Sequence, residues 1–201
     1  MRRPNQYERR EMKEIFEIID DWVGTFWVEV FPVLRGLRST GIVEIPDENV
    51  SRFKSYLEEN DVAYQLITVS ELNEERIKRG KDLFLDQQHE NIFYIGDEAR
   101  KVRMLVEGDR DNDFFCVGMM LGYPDCCVAT LFKTGTESLD IKALKSNFSM
   151  IAHIPCSSTC PRTIEYDSKL KADKERYLEK IANGRNRSEE RRVGKECTIQ
   201  C

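Results

Sequence analysis

The sequence contains no long apolar run and no strong excess of charge of either sign. No apolar stretch approaches the roughly 20 residues that a membrane-spanning helix requires, and the first residues lead into charged side chains instead of the apolar core of a signal peptide. Charged residues make up 33% of the chain, yet the net charge is only -5, which gives neither a basic nucleic-acid footprint nor an acidic disordered tail. We therefore expect a globular, cytosolic (cytoplasmic) protein that does not span a membrane. The composition does not support a nucleic-acid partner, and the sequence identifies no other partner.

The familiar motifs of nucleotide binding and metalloprotease chemistry are missing as well. The chain contains no Walker loop, no G-x-G-x-x-G segment and no H-E-x-x-H segment, and it shows no internal repeats or low-complexity stretches. Its 201 residues are enough for one domain with a real core, or for a domain with an appended subdomain. Any chemistry must therefore come from residues that these motifs do not describe.

The periodicity of the apolar residues predicts an α/β fold of the α+β type. Spacings of three and four between apolar residues predict a helix over 7–23, and another helix begins near Asp47. Runs of β-branched and aromatic residues predict strands over 25–31, 42–45, 62–69 and 92–95. Because the helix from Asp47 connects the second and third of these strands, they form a βαβ-like unit. We expect a small mixed sheet with helices in the N-terminal half.

A soft boundary near residue 90 is expected to divide the chain. Residues 1–90 form the predicted α/β half, and residues 91–184 form a helical half that carries the cysteines. Ser70 is predicted to cap one helix, and Asp97 is predicted to cap another helix that ends at Gly108. The two halves thus differ in secondary structure as well as in cysteine content.

The last residues, 185–201, are predicted to be a non-native or disordered tail. Asn183-Gly184 has the pattern of a helix stop, and the residues after it show no apolar periodicity and resemble readthrough of a vector or adapter. On this ground we exclude Cys197 and Cys201 from the candidate site. A native flexible tail is the alternative interpretation.

Four of the seven cysteines and one of the two histidines lie in two short blocks. The first block is GYPDCC, at 122–127, and the second is HIPCSSTC, at 153–160. In a reducing cytosol, clustered cysteines bind metal or take part in catalysis more often than they form structural disulfides. The candidate metal ligands are Cys126, Cys127, Cys156, Cys160 and His153.

Each block places its sulfurs at the start of a predicted helix. Gly122 and Pro124 indicate that one helix ends at the glycine and that the next has the proline at its first position, so the cysteines of the first block lie in a first helical turn. Pro161 can open another helix, for which Cys160 is the predicted N-cap. The unpaired N–H groups and partial positive charge of a helix start stabilise a thiolate.

A single site requires that the two helix starts come together in space. Two positive helix ends repel unless negative charge lies between them, so thiolates, a cluster or a bound anion must occupy the space. Around one metal ion the sulfur atoms lie roughly 4 Å apart. We therefore expect at least three of the four sulfurs to converge at about this spacing, with His153 bordering them.

The two blocks together resemble the prokaryotic family catalogued as domain of unknown function 483, whose pattern is GYP-x-CC followed by PCS-x-x-C. The resemblance covers roughly residues 92–170. The matching positions are Gly122, Tyr123, Pro124, Cys126, Cys127, Pro155, Cys156, Ser157 and Cys160. The resemblance implies that these cysteines belong together, and it leaves the reaction open.

Four thiolates are the ligand set of a structural zinc site or of an iron–sulfur cluster. Adjacent residues of a helix diverge by about 100 degrees, which makes a shared ion difficult for Cys126 and Cys127 and leaves open the alternative that one of them is a core residue. In that arrangement His153 replaces the lost ligand, or it donates a hydrogen bond to a coordinating sulfur. A structural histidine without either role is the alternative.

Three other hypotheses stay open at this point. In the first, the chain is a thiol-dependent enzyme with Cys160 or Cys126 as nucleophile and Cys156 as the resolving thiol, although no order of Cys, His and Asn or Asp matches a catalytic template. In the second, it is a structural adaptor whose metal only holds helices together. In the third, the cysteines are small buried hydrophobic residues. Whether the chain is an enzyme is thus undecided.

Two weaker patterns lie outside the blocks. Cys116 falls in an apolar run and is predicted to belong to the core. Asp109, Asp111 and Asp113 alternate as in a calcium loop, but the glycine and the terminal glutamate of such a loop are absent. We therefore expect these aspartates to cap a helix and to form a solvated loop.

Overall fold

The computed structural model describes residues 26–83, 90–135 and 139–197, with side chains described as far as residue 180. The helix predicted over 7–23 lies outside these ranges, as do Cys201 and the side chain of Cys197. One compact unit contains Gly24–Asp167, and a second combines Met1–Val23 with Ser168–Cys201. All candidate ligands belong to the first unit. The boundary near residue 90 stays a prediction.

Three strands form one antiparallel sheet in the order β1-β3-β2. They are β1 (Thr40–Ile45), β2 (Ala63–Thr68) and β3 (Asn91–Gly96). The register places Gly96 of β3 opposite both Thr40 and Ala63. All six residues of β3 are buried, as expected of a strand covered on both faces.

The predicted α+β class is confirmed, with one change in how the strands pair. Because β1 and β2 are each antiparallel to β3, they run in the same direction as each other. The helix between them therefore makes a βαβ unit that is split by the inserted third strand. The sheet was expected to be mixed, but every hydrogen-bonded strand pair in the described residues is antiparallel.

Eight α-helices are present in the described residues. They are α1 (Phe31–Leu34), α2 (Val50–Glu59), α3 (Val69–Lys78), α4 (Ala99–Arg110), α5 (Phe114–Met120), α6 (Asp125–Thr134), α7 (Ile141–Lys145) and α8 (Pro161–Cys197). A short 3-10 turn, Asp47–Asn49, precedes α2. None of the helices in the described part of the chain has the length and apolar composition of a membrane span.

The strand predicted over 25–31 is wrong. Phe26–Val30 forms a turn of π-helix that continues directly into α1. A short apolar run does not distinguish a buried strand from a buried helix, because both can be apolar on every side. Here the aromatic rings pack against one another, with the centroids of Phe26 and Trp27 5.4 Å apart. Pro32 is tolerated because it lies in the first turn of α1.

Two helix starts differ from the predicted ones by one or two residues. Thr68, not Ser70, caps α3, because its hydroxyl accepts from the backbone of Glu71 while the Glu71 carboxylate accepts from the Thr68 backbone. This reciprocal pair is a capping box. Glu98, not Asp97, is the N-cap residue of α4, and its side chain makes no capping hydrogen bond.

Two predicted helix ends are also corrected. Gly108 lies inside α4, which continues to Arg110, and a Cβ atom at Gly108 would lie 3.4 Å from Val117 and 3.5 Å from the Cys116 sulfur. These are ordinary van der Waals distances, so the packing of α4 against α5 does not require a glycine here. Likewise Gly184 does not end α8, which runs to Cys197. The non-native origin of the tail stays a prediction.

The apolar core lies between the sheet and helices α3, α4 and α5. Its buried members are Ile67, Leu72, Ile92, Tyr94, Val102, Leu105, Val106, Val117 and Leu121. Tyr123, which belongs to the first cysteine block, packs against this cluster. The core and the candidate site are therefore continuous through the GYP segment.

A charged network is buried at the edge of this core. Arg76 donates to the Asp109 carboxylate at 2.7 Å and to the Asp109 carbonyl at 2.8 Å, and the Tyr94 hydroxyl donates to the other carboxylate oxygen. Arg76 is 1% exposed and Asp109 is 4% exposed. Asp109 was expected in a solvated loop, and that expectation is wrong. Asp113 does cap a helix, since it accepts from the Cys116 backbone at the start of α5.

We expect Asp109→Ala to lower the free energy of unfolding by about 3–5 kcal/mol, because it removes the carboxylate from a buried guanidinium. Asp111→Ala is the matched control. It breaks the exposed ion pair with Arg79 (2.8 Å) and should cost less than about 1 kcal/mol. Urea denaturation of the two variants measures both values. Equal, small losses would show that the buried network contributes little.

Candidate metal centre

Four sulfur atoms converge within the first unit. The Sγ atom of Cys160 lies 3.6 Å from that of Cys126 and 3.7 Å from that of Cys127, and the latter two are 3.9 Å apart. Cys156 completes the group, and all four sulfurs lie within 4.8 Å of one another. The predicted convergence of the two blocks is confirmed, and the four cysteines could bind a metal ion.

The first two sulfurs come from the start of α6. Gly122, with a φ of 69°, follows the C-cap of α5 and turns the chain into the left-handed region, as predicted for this glycine. Pro124 is the N-cap residue of α6 and not its first helical residue, since its ψ is 130°. Cys126 and Cys127 therefore occupy the second and third helical positions, within the predicted first turn.

The start of α8 supplies the third sulfur. Cys160 precedes Pro161, and its carbonyl accepts the hydrogen bond of the Ile164 amide at 2.9 Å, so it is the N-cap as predicted. The two helix starts thus meet at the sulfur cluster. On the outside an exposed ion pair, Arg162 to Asp125 at 3.0 Å, also connects them.

Both adjacent cysteines belong to the cluster, and Cys127 is at the same time a buried residue, 2% exposed. Their Cα atoms are only about 3.8 Å apart, so rotation about χ1 in each side chain brings the sulfurs together despite the helical divergence. The buried Cys127 sulfur also accepts the Cys156 backbone N–H at 3.3 Å. This bond joins the chain segment of the second block to the first block.

Thr163 is a site residue that the sequence did not reveal. It is fully buried, and its hydroxyl oxygen lies 3.4 Å from the Cys127 sulfur and 3.1 Å from the His153 Nε2 atom. The place of Thr163 in the sequence, three residues after Cys160, could have identified it. The third residue of a helix directs its amide towards the N-cap side chain, so an N-cap cysteine implicates the residue three positions later.

His153 lies one side chain away from the sulfurs. Its Nε2 atom contacts Thr163, while its Nδ1 atom is buried without a hydrogen-bond partner. The ring packs beside Tyr123 at 5.1 Å and Tyr166 at 6.0 Å between centroids. Burial, together with the charges of Lys145 and Arg38, lowers the pKa of His153 to about 4. The imidazole is therefore neutral at pH 7, and it borders the cluster as predicted.

A buried arginine ties the GYP segment to the sheet. Arg38 donates to the Thr40 carbonyl at 2.9 Å and to the Val28 carbonyl at 3.2 Å, and it forms an ion pair with Glu29. Its guanidinium carbon lies 5.6 Å from the centre of the Tyr123 ring, within the range of a cation–π contact. These contacts fix the tyrosine that precedes the cysteine pair.

The thiols of the cluster differ in acidity. Burial opposes ionisation of Cys160, but hydrogen bonds from the Thr163 hydroxyl and backbone, Cys156 and Cys126 outweigh it and lower the Cys160 pKa to about 6. Burial raises the pKa of Cys156 to about 12 and also raises that of Cys127. In the metal-free protein the negative charge therefore resides mainly on Cys160.

The fold and the site together define the class of protein. It is an α+β protein that carries a four-cysteine centre able to hold a metal ion. No family model, no curated protein and no solved structure matches the chain. The function must therefore be argued from the geometry and chemistry of the site itself.

We expect one thiol of the metal-free protein to ionise near pH 6, the value for Cys160, against an ordinary value of 9.0. Because the folded-state pKa is depressed, the associated stability is fully present above the unfolded pKa and is lost as the pH falls through about 6. Ultraviolet absorbance of the thiolate, with denaturation at each pH, measures both effects. Cys160→Ser should abolish the step and Cys116→Ser should retain it. A titration without any step below the usual cysteine range would contradict the assignment.

Proposed function

We propose that the chain is a metal-binding protein in which four cysteine thiolates hold a single zinc ion. The spacing of the sulfurs is the observation that supports this most directly. A tetrahedral ion with zinc–sulfur bonds of about 2.3 Å has sulfurs roughly 3.8 Å apart. The cluster has separations of 3.6, 3.7 and 3.9 Å among Cys126, Cys127 and Cys160. Membership of the family that the motifs resemble is part of the same proposal.

The spacing favours one ion over an iron–sulfur cluster. In a cluster of four irons each cysteine binds a different iron atom, so the cysteine sulfurs are spread around the whole cluster. Here every sulfur lies within 4.8 Å of every other. This arrangement fits ligands that share one central ion better than ligands around a group of several metal and sulfide atoms.

The same geometry supports a structural role for the ion. Four protein sulfurs fill the tetrahedral positions, whereas a catalytic zinc keeps one position open for water or substrate. The ion would connect the start of α6, the start of α8 and the chain segment around Cys156. This favours the adaptor form of the metal hypothesis, in which the metal holds helices in place.

The charge of the site also suits a thiolate-bound ion. Four thiolates and one divalent cation leave a net negative charge, which the two helix starts oppose with their partial positive ends. The backbone N–H group of Cys156 donates directly to the Cys127 sulfur. Donors aimed at sulfur stabilise the charged form that a metal requires.

The reactive-thiol hypothesis is our second candidate. The low pKa of Cys160 favours it. However, Cys160 is only 1% exposed, so a substrate cannot approach its sulfur without movement of the surrounding chain. The neutral imidazole of His153 contacts Thr163 instead of a cysteine, so this histidine is not in position to act as the general base for a thiol.

We expect purified wild-type protein to contain zinc, and Cys156→Ser to lose most of it and to melt at a lower temperature, because one thiolate is replaced by a poor ligand. Cys116→Ser is the matched control, since this cysteine lies outside the cluster. Elemental analysis and thermal unfolding, with and without a chelator, measure both effects.

Two outcomes would contradict this proposal. Full zinc content in Cys156→Ser, held as tightly as in the wild type, would remove this residue from the ligand set. Metal-free protein after anaerobic purification, combined with rapid alkylation of one thiol, would favour the reactive-thiol enzyme instead.

A further inference from the structure

Thr163 lies between the sulfur cluster and His153. Its side-chain hydroxyl is 3.4 Å from the Cys127 sulfur and 3.1 Å from the His153 Nε2 atom. The side chain is fully buried, so no bulk water competes for the hydroxyl. A residue that is not itself a ligand thus connects the cluster to the histidine.

When a metal is bound, the protons and lone pairs that each group carries determine which atom donates in these contacts. A metal-bound thiolate can only accept a hydrogen bond, and a threonine hydroxyl has a single proton to give. When that proton points at a sulfur of the cluster, whether Cys127 or Cys160, the hydroxyl oxygen must accept from the His153 Nε2 atom, 3.1 Å away. The imidazole therefore carries its proton on Nε2.

The surroundings of the other ring nitrogen, Nδ1, also favour the tautomer with the proton on Nε2. The Nδ1 atom of His153 is buried and has no hydrogen-bond partner. A proton on that atom would be an unsatisfied buried donor, which is more costly than an unpaired acceptor. The imidazole is therefore placed to donate towards the site.

The adjacent cysteines explain why such a chain of hydrogen bonds is needed. Neighbouring helical residues diverge by about 100 degrees, so the Cys126 and Cys127 sulfurs meet only in particular side-chain rotamers. The Cys127 sulfur is held by the Thr163 hydroxyl on one side and by the Cys156 N–H at 3.3 Å on the other. His153 is in turn held between the rings of Tyr123 and Tyr166.

We propose that Thr163 and His153 are positioning residues of the metal centre: His153 orients the Thr163 hydroxyl, and that hydroxyl holds the Cys127 thiolate in its ligating position. This inference rests on the proposed zinc site and adds to it two residues that are not ligands. Loss of comparable partners behind metal ligands typically weakens metal affinity 10- to 100-fold.

The first test is a pair of variants at Thr163. Thr163→Val keeps the branched shape and removes the hydroxyl, whereas Thr163→Ser keeps the hydroxyl. Zinc affinity is measured by competition with a chromogenic chelator, and Co²⁺ is bound in place of zinc to record the cobalt–thiolate absorption. We expect Thr163→Val to bind zinc about 10- to 100-fold more weakly with a shifted cobalt spectrum. Thr163→Ser should restore both properties.

The second test is a matched pair at His153, which also covers the case in which Thr163→Val fails to fold. His153→Phe keeps an aromatic ring between the tyrosines but lacks a donor, and His153→Gln retains an N–H near the Nε2 position. We expect about tenfold weaker zinc binding for the phenylalanine variant and recovery in the glutamine variant. Tyr94→Phe, which loses a buried hydroxyl bonded to Asp109, is the control for general destabilisation. It should lower stability and leave zinc affinity and cobalt spectrum unchanged.

The outcomes separate this inference from the proposed function. Wild-type affinity and spectrum in both Thr163→Val and His153→Phe would overturn the positioning role while the zinc site stands. Equal weakening in Thr163→Ser and Thr163→Val would also overturn it, because packing and not the hydroxyl would then be responsible. Wild-type protein that binds neither zinc nor cobalt would overturn both proposals.

Discussion

Mutual repulsion of the sulfurs is the constraint on which the site depends. Four thiol groups lie within 4.8 Å of one another, and ionising one of them makes ionisation of the next harder. Burial and hydrogen bonding make the acidities uneven as well, with the pKa of Cys160 lowered to about 6 and that of Cys156 raised to about 12. Helix starts, backbone N–H groups and the Thr163 hydroxyl stabilise negative charge on sulfur, and a cation at the centre would allow more than one thiol to stay ionised.

The sheet positions this cluster through a short series of polar contacts. The Thr40 hydroxyl, at the start of β1, donates to the Met120 carbonyl at 2.7 Å, which fixes the end of α5. Arg38, two residues earlier, lies against the Tyr123 ring and forms an ion pair with Glu29. The turn at Gly122 and the start of α6 come next along the chain. The position of the first cysteine pair is therefore determined by the same residues that begin the sheet.

Local backbone signals made much of the fold and site predictable. Gly122 and Pro161 mark a helix end and a helix start whatever the surroundings, so the sulfurs could be assigned to helix starts from sequence alone. Roles that depend on tertiary contacts have no such local signal in the sequence and could not be predicted from it. The burial of Asp109 requires Arg76, 33 residues away, and the role of Thr163 appears only when both cysteine blocks meet. The π-helical turn at Phe26–Val30 has strand-like composition and is helical because its rings pack together.

The separation of the two cysteine blocks along the chain has a consequence for local opening. A metal that joins Cys127 to Cys156 closes a loop of 29 residues in sequence separation, and a cross-link of that span restricts the unfolded chain by roughly 3–4 kcal/mol. Within this loop α7 contributes no buried residue, so little apolar contact holds that helix in place. The buried residues of the sheet core, by contrast, lie outside this loop. An ion held by sulfurs of both blocks would therefore restrain this loop directly, whereas the central strand is held by its own pairing with β1 and β2. Loss of such an ion would then change the accessibility of one surface segment, while the sheet itself would stay folded.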